Sequence, residues 1–215
     1  MAYLVGRKEF YSLAFTVSPA VLIPRPESEF VVVEYLEQTR HVPSPRAVDV
    51  GTGSGCLAIA AAHHQPAARF VAIDISEDAL AVAKRNASRL GVIDRIDFRQ
   101  GDTLEPVAGE APFDAIISNP PYISTEAIEQ LEPGVRDYEP RAALDGGPGG
   151  LTMVARLIEQ SVPLLKPGGH LILEIGSDQA EPVRELIGAQ ERLHLAPTVY
   201  DHAHHPRVIR ATRIA

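Results

Sequence analysis

Short apolar runs and longer amphipathic stretches alternate along the chain. Runs of strand length, rich in Val, Ile, Ala and Phe, lie at residues 47–50, 70–73, 96–98, 113–118 and 170–175. The stretches between most of them have the period of helices. Because strands that alternate with helices form a mostly parallel sheet with both faces covered, the pattern predicts an α/β fold.

The helical stretches begin and end at recognisable residues. One helix is predicted to open at Glu27 and Ser28, directly after two prolines, with Phe30, Val33 and Leu36 on one face. Ser76 and Gly91 are predicted to mark the start and the end of another helix. Further helices are predicted at 56–63, 76–91, 151–165 and 180–188.

The two ends of the chain predict antiparallel structure. Residues 9–23 indicate two short strands joined as a hairpin, and residues 193–200 and 208–213 indicate a closing antiparallel pair. Together with the five internal runs, the pair gives an expected seven-stranded, mostly parallel sheet. We divide the chain into a hairpin and linker segment, 1–26, and one α/β domain, 27–215.

Composition and charge narrow the class of protein. Of the 215 residues, 45% are hydrophobic and 22% are charged, which is typical of a globular protein with a real core. No window approaches the ~20 apolar residues of a membrane span and no signal peptide is evident, so we expect a cytoplasmic protein. The one cysteine, Cys56, excludes an internal disulfide framework and a cysteine-rich zinc site. With 20 basic and 28 acidic residues, the net charge of −8 makes nucleic acid a less favoured partner.

A glycine-rich turn follows the first internal strand. Residues 51–55 read Gly-Thr-Gly-Ser-Gly, with Asp49 just ahead and Asp74 at the end of the next strand. Glycine lets a ligand approach the backbone closely, and this place in a doubly wound sheet is the edge where ligands bind. Asp74 is placed to accept hydrogen bonds from ribose hydroxyls. The spacing favours S-adenosylmethionine, while NAD and a turn without a ligand stay open.

A second motif, Asn119-Pro120-Pro121-Tyr122, follows the strand 113–118 at the same edge. The prolines fix φ and cannot donate hydrogen bonds, and a residue that precedes proline is held extended. The result is a stiff loop that presents the side-chain oxygen of Asn119 and the carbonyl oxygen of Pro120. Two fixed acceptors suit the two N–H groups of a planar NH₂, and Tyr122 supplies an aromatic wall. A proline turn without a ligand is the alternative.

Such a loop suits methyl transfer to a planar nitrogen. The nitrogen of an amide, like the exocyclic amine of adenine, is a poor nucleophile because its lone pair is delocalised. Holding both hydrogens aligns the nitrogen with an electrophilic methyl group, and alignment of this kind supplies ~7–11 kcal/mol of a barrier. No strong base is needed before attack, since the proton leaves after the nitrogen has become cationic.

Further segments resemble one protein family. The long stretch 119–150, with five prolines and five glycines, is typical of a functional loop. The chain resembles the HemK (PrmC) family, the protein-(glutamine-N5) methyltransferases of peptide chain release factors, and the resemblance covers residues 3–213. The segments that carry it, beside the two motifs above, are Leu-Ile-Pro-Arg-Pro-Glu-Ser-Glu at 22–29, Asp-Tyr-Glu-Pro-Arg-Ala-Ala-Leu-Asp-Gly-Gly at 137–147 and Leu-Glu-Ile-Gly at 173–176.

This resemblance implies a class I S-adenosylmethionine-dependent methyltransferase (Rossmann-like) fold and a set of site residues. Asn119 would contact both cofactor and substrate, and Arg25 and Glu27 would lie near the mouth of the site as supporting residues. The catalytic and substrate-gripping set is Asn119, Pro120, Pro121 and Tyr122. The residues that would hold the methionine and ribose end of the cofactor are Asp49, Gly51, Thr52, Gly53, Ser54, Gly55 and Asp74. Those beside the adenine are Asp102 and Thr103.

The chain departs from the family pattern in two places. Family members usually carry a helical domain ahead of the hairpin, so we interpret this chain as the catalytic domain alone or as a shortened member. Whether a whole release factor docks on this chain therefore stays an open question. Ser28 stands where threonine is commoner, a change expected to be harmless. We expect a monomer that acts on a release factor, without a membrane or a direct nucleic-acid partner.

Other interpretations stay open at this point. An adenine-N6 nucleic-acid methyltransferase shares the Asn-Pro-Pro-Tyr motif but normally needs base flipping and a recognition surface. An NAD-dependent oxidoreductase leaves that motif unexplained, and a non-catalytic cofactor-binding module leaves Asn119 and Tyr122 without a role. We interpret His202, His204 and His205 as a solvated loop rather than a metal site. Cys56 is interpreted as a packing residue rather than a reactive thiol.

Overall fold

The computed structural model describes residues 2–110 and 112–215 of the chain. Its strands and helices are numbered here in chain order. The strands are β1 (Arg7–Phe10), β2 (Leu13–Thr16), β3 (Arg46–Val50), β4 (Arg69–Asp74), β5 (Ile96–Gln100), β6 (Phe113–Ser118), β7 (Leu165–Glu174), β8 (Leu193–Leu195), β9 (Val199–Tyr200) and β10 (Pro206–Arg213). The α-helices are α1 (Ala2–Val5), α2 (Glu29–Thr39), α3 (Cys56–His64), α4 (Glu77–Arg89), α5 (Pro133–Arg136), α6 (Thr152–Leu164) and α7 (Ala180–Gly188).

The main sheet has the strand order β5-β4-β3-β6-β7-β10-β8, and β9 pairs with β10 beside this path. Strands β5, β4, β3, β6 and β7 are parallel, whereas β10 runs antiparallel to β7 and β8. The expected parallel sheet with a closing antiparallel pair is therefore confirmed. The predicted strand 193–200 is divided into β8 and β9, because Pro197 between them lacks the N–H that a continuous ladder requires.

The topology leaves a switch point between β3 and β6. The chain goes from β3 outward to β5 and then returns to the other side of β3 to form β6. Connections after β3 and β6 therefore lead away in opposite directions, which opens a crevice at the carboxyl ends of these strands. The glycine-rich turn and the Asn119 loop both begin at this crevice.

The N-terminal hairpin is shorter and earlier than the predicted span of 9–23. Its two strands are joined by Tyr11 and Ser12, whose φ values of 48° and 60° are those of a tight turn that matches the strand twist. Phe10 and Phe15 of the hairpin are buried in the same apolar cluster as α2 and α3. The residues after β2 do not continue as a strand but cover the crevice.

The buried face of α2 differs from the predicted one. Val31, Val32 and Tyr35 are buried, whereas Val33 is 45% exposed. Residues 30–33 are all apolar, so the sequence offers more than one apolar face. Packing of α2 against α3, β6 and β7 selects the face that is buried.

Two apolar clusters cover the two sides of the sheet. Ala47 and Val48 are neighbours on β3 but belong to different clusters, because successive side chains of a strand point to opposite faces. One cluster includes α2 and α3, and the other includes α6 and α7. In the described part of the chain, no helix is long and apolar enough to cross a membrane.

The stretch 119–150 is less irregular than its composition suggests. Beside α5 it contains three short 3₁₀ turns, at Ile128–Gln130, Arg141–Ala143 and Pro148–Gly150. An isolated bridge between Ile123 and Asp145 brings its two ends together. The stretch therefore folds back on itself beside the crevice.

Candidate active site

A cavity of about 200 Å³ lies at the switch point of the sheet. It is bounded by the carboxyl ends of β3, β4 and β6, by the segment after the hairpin and by part of the stretch 119–150. Both motifs singled out in the sequence reach it. Its walls include Leu22, Gly51, Asp74, Thr103, Asn119 and Ala143.

The glycine loop forms the floor of this cavity. Gly51 and Gly53 have φ values of 69° and 54°, and a Cβ atom at Gly51 would point into open space. Gly55 has a different role, because a Cβ there would lie 2.6 Å from the Ile59 side chain, at the packed start of α3. Two of the glycines thus leave backbone accessible to a ligand, and the third allows close packing of the helix.

Asp49 lies beneath the loop rather than in the cavity wall. Its Oδ2 accepts hydrogen bonds from the Thr52 hydroxyl at 2.7 Å and from the Ala58 amide at 3.2 Å. Burial raises the pKa of this carboxyl to about 7, against the opposing effect of those hydrogen bonds. The side chain braces the loop from below, and its Oδ1 has no hydrogen-bond partner among the described residues.

Asp74 faces the cavity from the end of β4. Its two oxygens accept hydrogen bonds from the Gly53 amide at 2.8 Å and the Ser76 amide at 2.9 Å. Burial raises the pKa of the carboxyl, and these backbone bonds counteract the rise. Each carboxylate oxygen has further acceptor capacity, so this fixed side chain can also accept from a ligand's hydroxyl groups.

Asp102 and Thr103 line the far side of the cavity. Thr103 is buried with φ of 50°, a left-handed conformation that is uncommon for threonine. Asp102 forms an ion pair with Arg156 at 2.8 Å. Both residues therefore lie at the cavity, and Asp102 is held there by Arg156 on α6.

Asn119 is the polar side chain at the other end of the cavity. Its Nδ2 donates a hydrogen bond to the Ser28 hydroxyl at 2.9 Å, across 91 positions of sequence. Because the amide nitrogen is engaged, the remaining hydrogen-bonding end of the carboxamide is its acceptor oxygen. Pro121 also lines the cavity, whereas Pro120 is buried.

The Asn119 loop is fixed by close backbone contacts. Gln179 Nε2 donates to the Tyr122 carbonyl at 2.9 Å. A Cβ at Gly150 would lie 2.1 Å from that same carbonyl oxygen, and a Cβ at Gly146 would lie 2.6 Å from the Pro121 carbonyl oxygen. Two glycines of the long stretch are thus required for it to pack against the loop.

Arg25 and Glu27 do not line the cavity. Arg25 donates to Glu139 at 2.6 Å, which ties the segment after the hairpin to the stretch 119–150. Glu27 borders a separate open groove beside Phe30 and Asp201. Any contact of these two residues with a substrate stays a prediction.

Glu174 is a site residue that the sequence reasoning did not select. It ends β7 in the segment Leu-Glu-Ile-Gly and is 1% exposed. Burial raises the pKa of its carboxyl to about 7, against the lowering effect of the Ser28 and Tyr122 hydroxyls. Burial and this carboxylate raise the pKa of Tyr122 to about 12, so the phenol stays protonated. A lone acid at the carboxyl end of an apolar strand was the available signal.

The remaining candidates do not form a site. Burial raises the pKa of the Cys56 thiol to about 12, which agrees with a packing role. His202 packs against Phe30, and the backbone of His205 donates to Asp201. In residues 2–110 and 112–215, no three His, Cys, Asp or Glu side chains are placed to hold a metal ion.

The residues around the cavity fit S-adenosylmethionine. Exposed glycine backbone suits the amino-acid end, the Asp74 carboxylate suits ribose hydroxyls, and the apolar wall near Thr103 suits a planar base. Of the predicted cofactor residues, Asp49, Thr52, Ser54 and Gly55 support the loop and do not line the cavity. Contact of all these residues with the cofactor stays a prediction.

Comparison with solved structures identifies the fold. The hMettl16 catalytic domain in complex with the MAT2A 3′UTR hairpin 6 has a TM-score of 0.75 at 17% identity, over 95% of this chain and 76% of that one. The O-methyltransferase from Bacillus cereus in complex with SAH has a TM-score of 0.61 at 19% identity, over 91% of this chain and 84% of that one. The fold is that of a class I S-adenosylmethionine-dependent methyltransferase.

Sequence comparison leads from this class to one family. The family model described as methyltransferase small domain matches residues 28–131. The release factor glutamine methyltransferase of Moorella thermoacetica is 48% identical over 200 residues, which cover 92% of this chain and 70% of that protein. The chain belongs to the release factor glutamine methyltransferase family. The resemblance inferred from the motifs is thereby confirmed, with S-adenosylmethionine as cofactor, and the NAD-dependent alternative is excluded.

Proposed function

We propose that this protein methylates the side-chain amide nitrogen of a glutamine in a peptide chain release factor, in the cytoplasm where translation takes place. The observation that carries the proposal is the Asn119 carboxamide at the cavity. Its nitrogen donates a hydrogen bond to Ser28, so its oxygen can accept a hydrogen bond from a substrate. Such an acceptor oxygen suits a substrate that carries an amide NH₂. The name of the relative from Moorella thermoacetica supports the same substrate.

Each part of the site has a role in this reaction. S-adenosylmethionine, when bound, supplies an electrophilic methyl group on a sulfonium. Gly51, Gly53 and Asp74 would hold this cofactor, and Asn119 with the Pro120 carbonyl would accept hydrogen bonds from the substrate NH₂. The rigid proline loop fixes the direction in which the nitrogen lone pair points, which is the alignment that the reaction requires.

The proposal is tested by locating the transferred methyl group. The protein is incubated with methyl-labelled S-adenosylmethionine and a release factor, and the label is mapped by mass spectrometry. We expect label on one glutamine amide, and labelling that is roughly 10²–10³-fold slower with the Asn119→Ala variant at equal protein concentration. Label on added nucleic acid instead of the release factor, or no label on any glutamine, would overturn the proposal.

A further inference from the structure

One wall of the cavity belongs to a segment with little apolar packing of its own. This segment, residues 132–143, is here called the flap; its Pro140, Ala142 and Ala143 line the cavity. Glu139 is the one residue of the flap that is buried, and its neighbour Tyr138 is 66% exposed. Because burial of apolar surface is the main force that holds a segment in place, the flap needs another contact to stay closed.

The flap is fixed at its two roots and has a shape of its own. Ile128 and Leu144, on either side of it, are 2% and 5% exposed. The backbone amides of Val135, Glu139 and Ala143 donate hydrogen bonds to carbonyls within the flap. The flap therefore keeps its local structure by itself, while its position over the cavity depends on contacts with other parts of the chain.

One ion pair joins the flap to a distant part of the chain. Arg25 Nη2 donates to Glu139 Oε1 at 2.6 Å, across 114 positions of sequence. In residues 2–110 and 112–215, no other hydrogen bond or ion pair connects the flap with the chain outside the stretch 119–150. Arg25 lies in the segment after the hairpin, whose Ala20 and Leu22 line the same cavity. The pair therefore joins two segments that both enclose the cavity.

The segment that carries Arg25 is anchored on both sides of this residue. Before it, the Tyr3 hydroxyl donates to the Val21 carbonyl at 2.6 Å, and the Val21 side chain is buried against α4. After it, Ser28 is bonded to Asn119. Arg25 is thus a fixed point to which the flap is attached.

The ion pair is of a kind that can open. The side chain of Glu139 is 2% exposed and its Oε2 has no hydrogen-bond partner among the described residues, whereas the side chain of Arg25 is 33% exposed. A buried carboxylate oxygen without a partner costs free energy, and lifting the flap returns it to water. This hydration offsets part of the lost attraction, so the closed and open positions of the flap differ little in free energy.

We propose that the flap is a gate over the cofactor cavity and that the Arg25–Glu139 ion pair is its latch. The flap lifts to admit S-adenosylmethionine and to release S-adenosylhomocysteine, and it is closed during methyl transfer, when water is excluded. Arg25 and Glu139 are positioning residues, since neither lines the cavity and both act through the flap. The gate concerns the cofactor alone, so it does not depend on which substrate accepts the methyl group.

The gate is tested by the rates at which S-adenosylhomocysteine binds to and leaves the full chain. Surface plasmon resonance with immobilised protein gives both rate constants. Arg25→Met removes the charge and keeps an unbranched side chain, and we expect both rate constants to rise about 5- to 10-fold. Because entry and exit pass through the same opening, Kd should stay within about twofold. Loss of a merely structural contact would instead raise the dissociation rate alone and weaken binding.

Two further variants complete the test. Glu139→Gln keeps an acceptor oxygen for Arg25 and removes only the charge, so both rate constants should rise about threefold; this variant decides alone if Arg25→Met does not fold. A double variant, Arg25→Met with Glu139→Gln, should be no faster than Arg25→Met, because the two residues act as one pair.

Lys166→Met is the matched control. Lys166 pairs with Asp114 at 2.8 Å with similar partial exposure, but at the amino ends of β6 and β7, the edge of the sheet away from the cavity. Its rate constants should stay within about twofold of the wild type. Unchanged rate constants in both Arg25→Met and Glu139→Gln, a faster dissociation without faster association, or an equal rise in Lys166→Met would overturn the gate. Methyl transfer to a release factor is measured separately, so failure of the proposed function and failure of the gate are distinguishable.

Discussion

Two loops meet at the cavity, and they are held in place by different kinds of contact. The glycine loop is braced by Asp49, which bonds Thr52 and Ala58 across three and nine positions of sequence. The Asn119 loop is held by Ser28 across 91 positions and by Gln179 across 57. Asp74 and Asn86 also bond the glycine loop, across 21 and 32 positions. The cofactor side is therefore organised within residues 46–89, whereas the substrate side depends on more distant parts of the chain.

This difference has a functional consequence. The glycine loop keeps its shape as long as β3, α3, β4 and α4 are formed. A loop held by distant partners responds to changes in the segment after the hairpin, at the end of β7 and in the stretch 119–150. We therefore expect that variants in those three regions lower turnover at saturating cofactor and leave cofactor affinity nearly unchanged. Variants of the glycine loop should weaken cofactor binding and affect turnover at saturating cofactor less.

The largest expected effect is that of Asn119→Ala. Loss of one preorganised polar group that contacts the reacting amide should lower turnover by roughly 10²–10³. Cofactor affinity should change far less, because the cavity keeps Asp74 and the glycine backbone. Single-turnover rates with a peptide that contains the target glutamine give the first quantity, and calorimetry gives the second. Near-normal turnover would remove Asn119 from the reaction.

Gly150→Ala tests the packing that supports the Asn119 loop. Gly150 has φ of 72°, and its added Cβ would collide with the Tyr122 carbonyl oxygen, whereas Gly149 has φ of 65° and open space around it. Both substitutions should cost about 1–2 kcal/mol for the left-handed backbone, and Gly150→Ala should cost about 1–3 kcal/mol more for the collision. Urea unfolding measures the difference in stability.

The same pair of variants should also differ in activity. Only Gly150→Ala displaces the Tyr122 backbone, so it should lower turnover while Gly149→Ala leaves it nearly unchanged. If both variants lose the same stability and the same activity, the close contact between Gly150 and Tyr122 does not support the loop.

Asp74→Ala tests the cofactor side of the comparison. Removal of a fixed carboxylate acceptor should weaken binding of S-adenosylhomocysteine by about 1.5–3 kcal/mol. Turnover at saturating cofactor should be affected less than binding, because the Asn119 loop is held by other residues. Isothermal calorimetry measures the affinity, and an unchanged value would remove Asp74 from the cofactor site.

A further expected effect concerns pH and stability. The pKa of Glu174 is raised by burial to about 7, so between its ordinary value and 7 the folded protein holds a proton that the unfolded chain has released. Its contribution to the free energy of unfolding therefore falls as the pH rises from about 5 to about 8. Relative to the wild type, Glu174→Gln should gain about 2 kcal/mol over this range. Urea unfolding at both pH values checks this, and a difference that is independent of pH would contradict it.

Prediction from sequence succeeded where the signals were local. The order of strands and helices, the Ser76 cap of α4 and the glycine turn depend on periodicity and on residues within a few positions of each other. The prediction of the buried face of α2 was wrong, because four consecutive apolar residues from Phe30 to Val33 offer several apolar faces. The hydrogen bond between Ser28 and Asn119 was missed, because the two residues lie 91 positions apart in sequence.

By itself the sequence determined the α/β class, the two motifs at one sheet edge and the family to which the chain belongs. The class and the motifs depend on period, caps and proline or glycine chemistry, which act over a few residues, whereas the family was indicated by the resemblance of whole segments to known proteins. Only the tertiary structure decided how Arg25 pairs with Glu139 and how Ser28 comes to bond Asn119. Such contacts join residues far apart in sequence, and their geometry is set by the packing of the sheet and its helices rather than by any local preference of the chain.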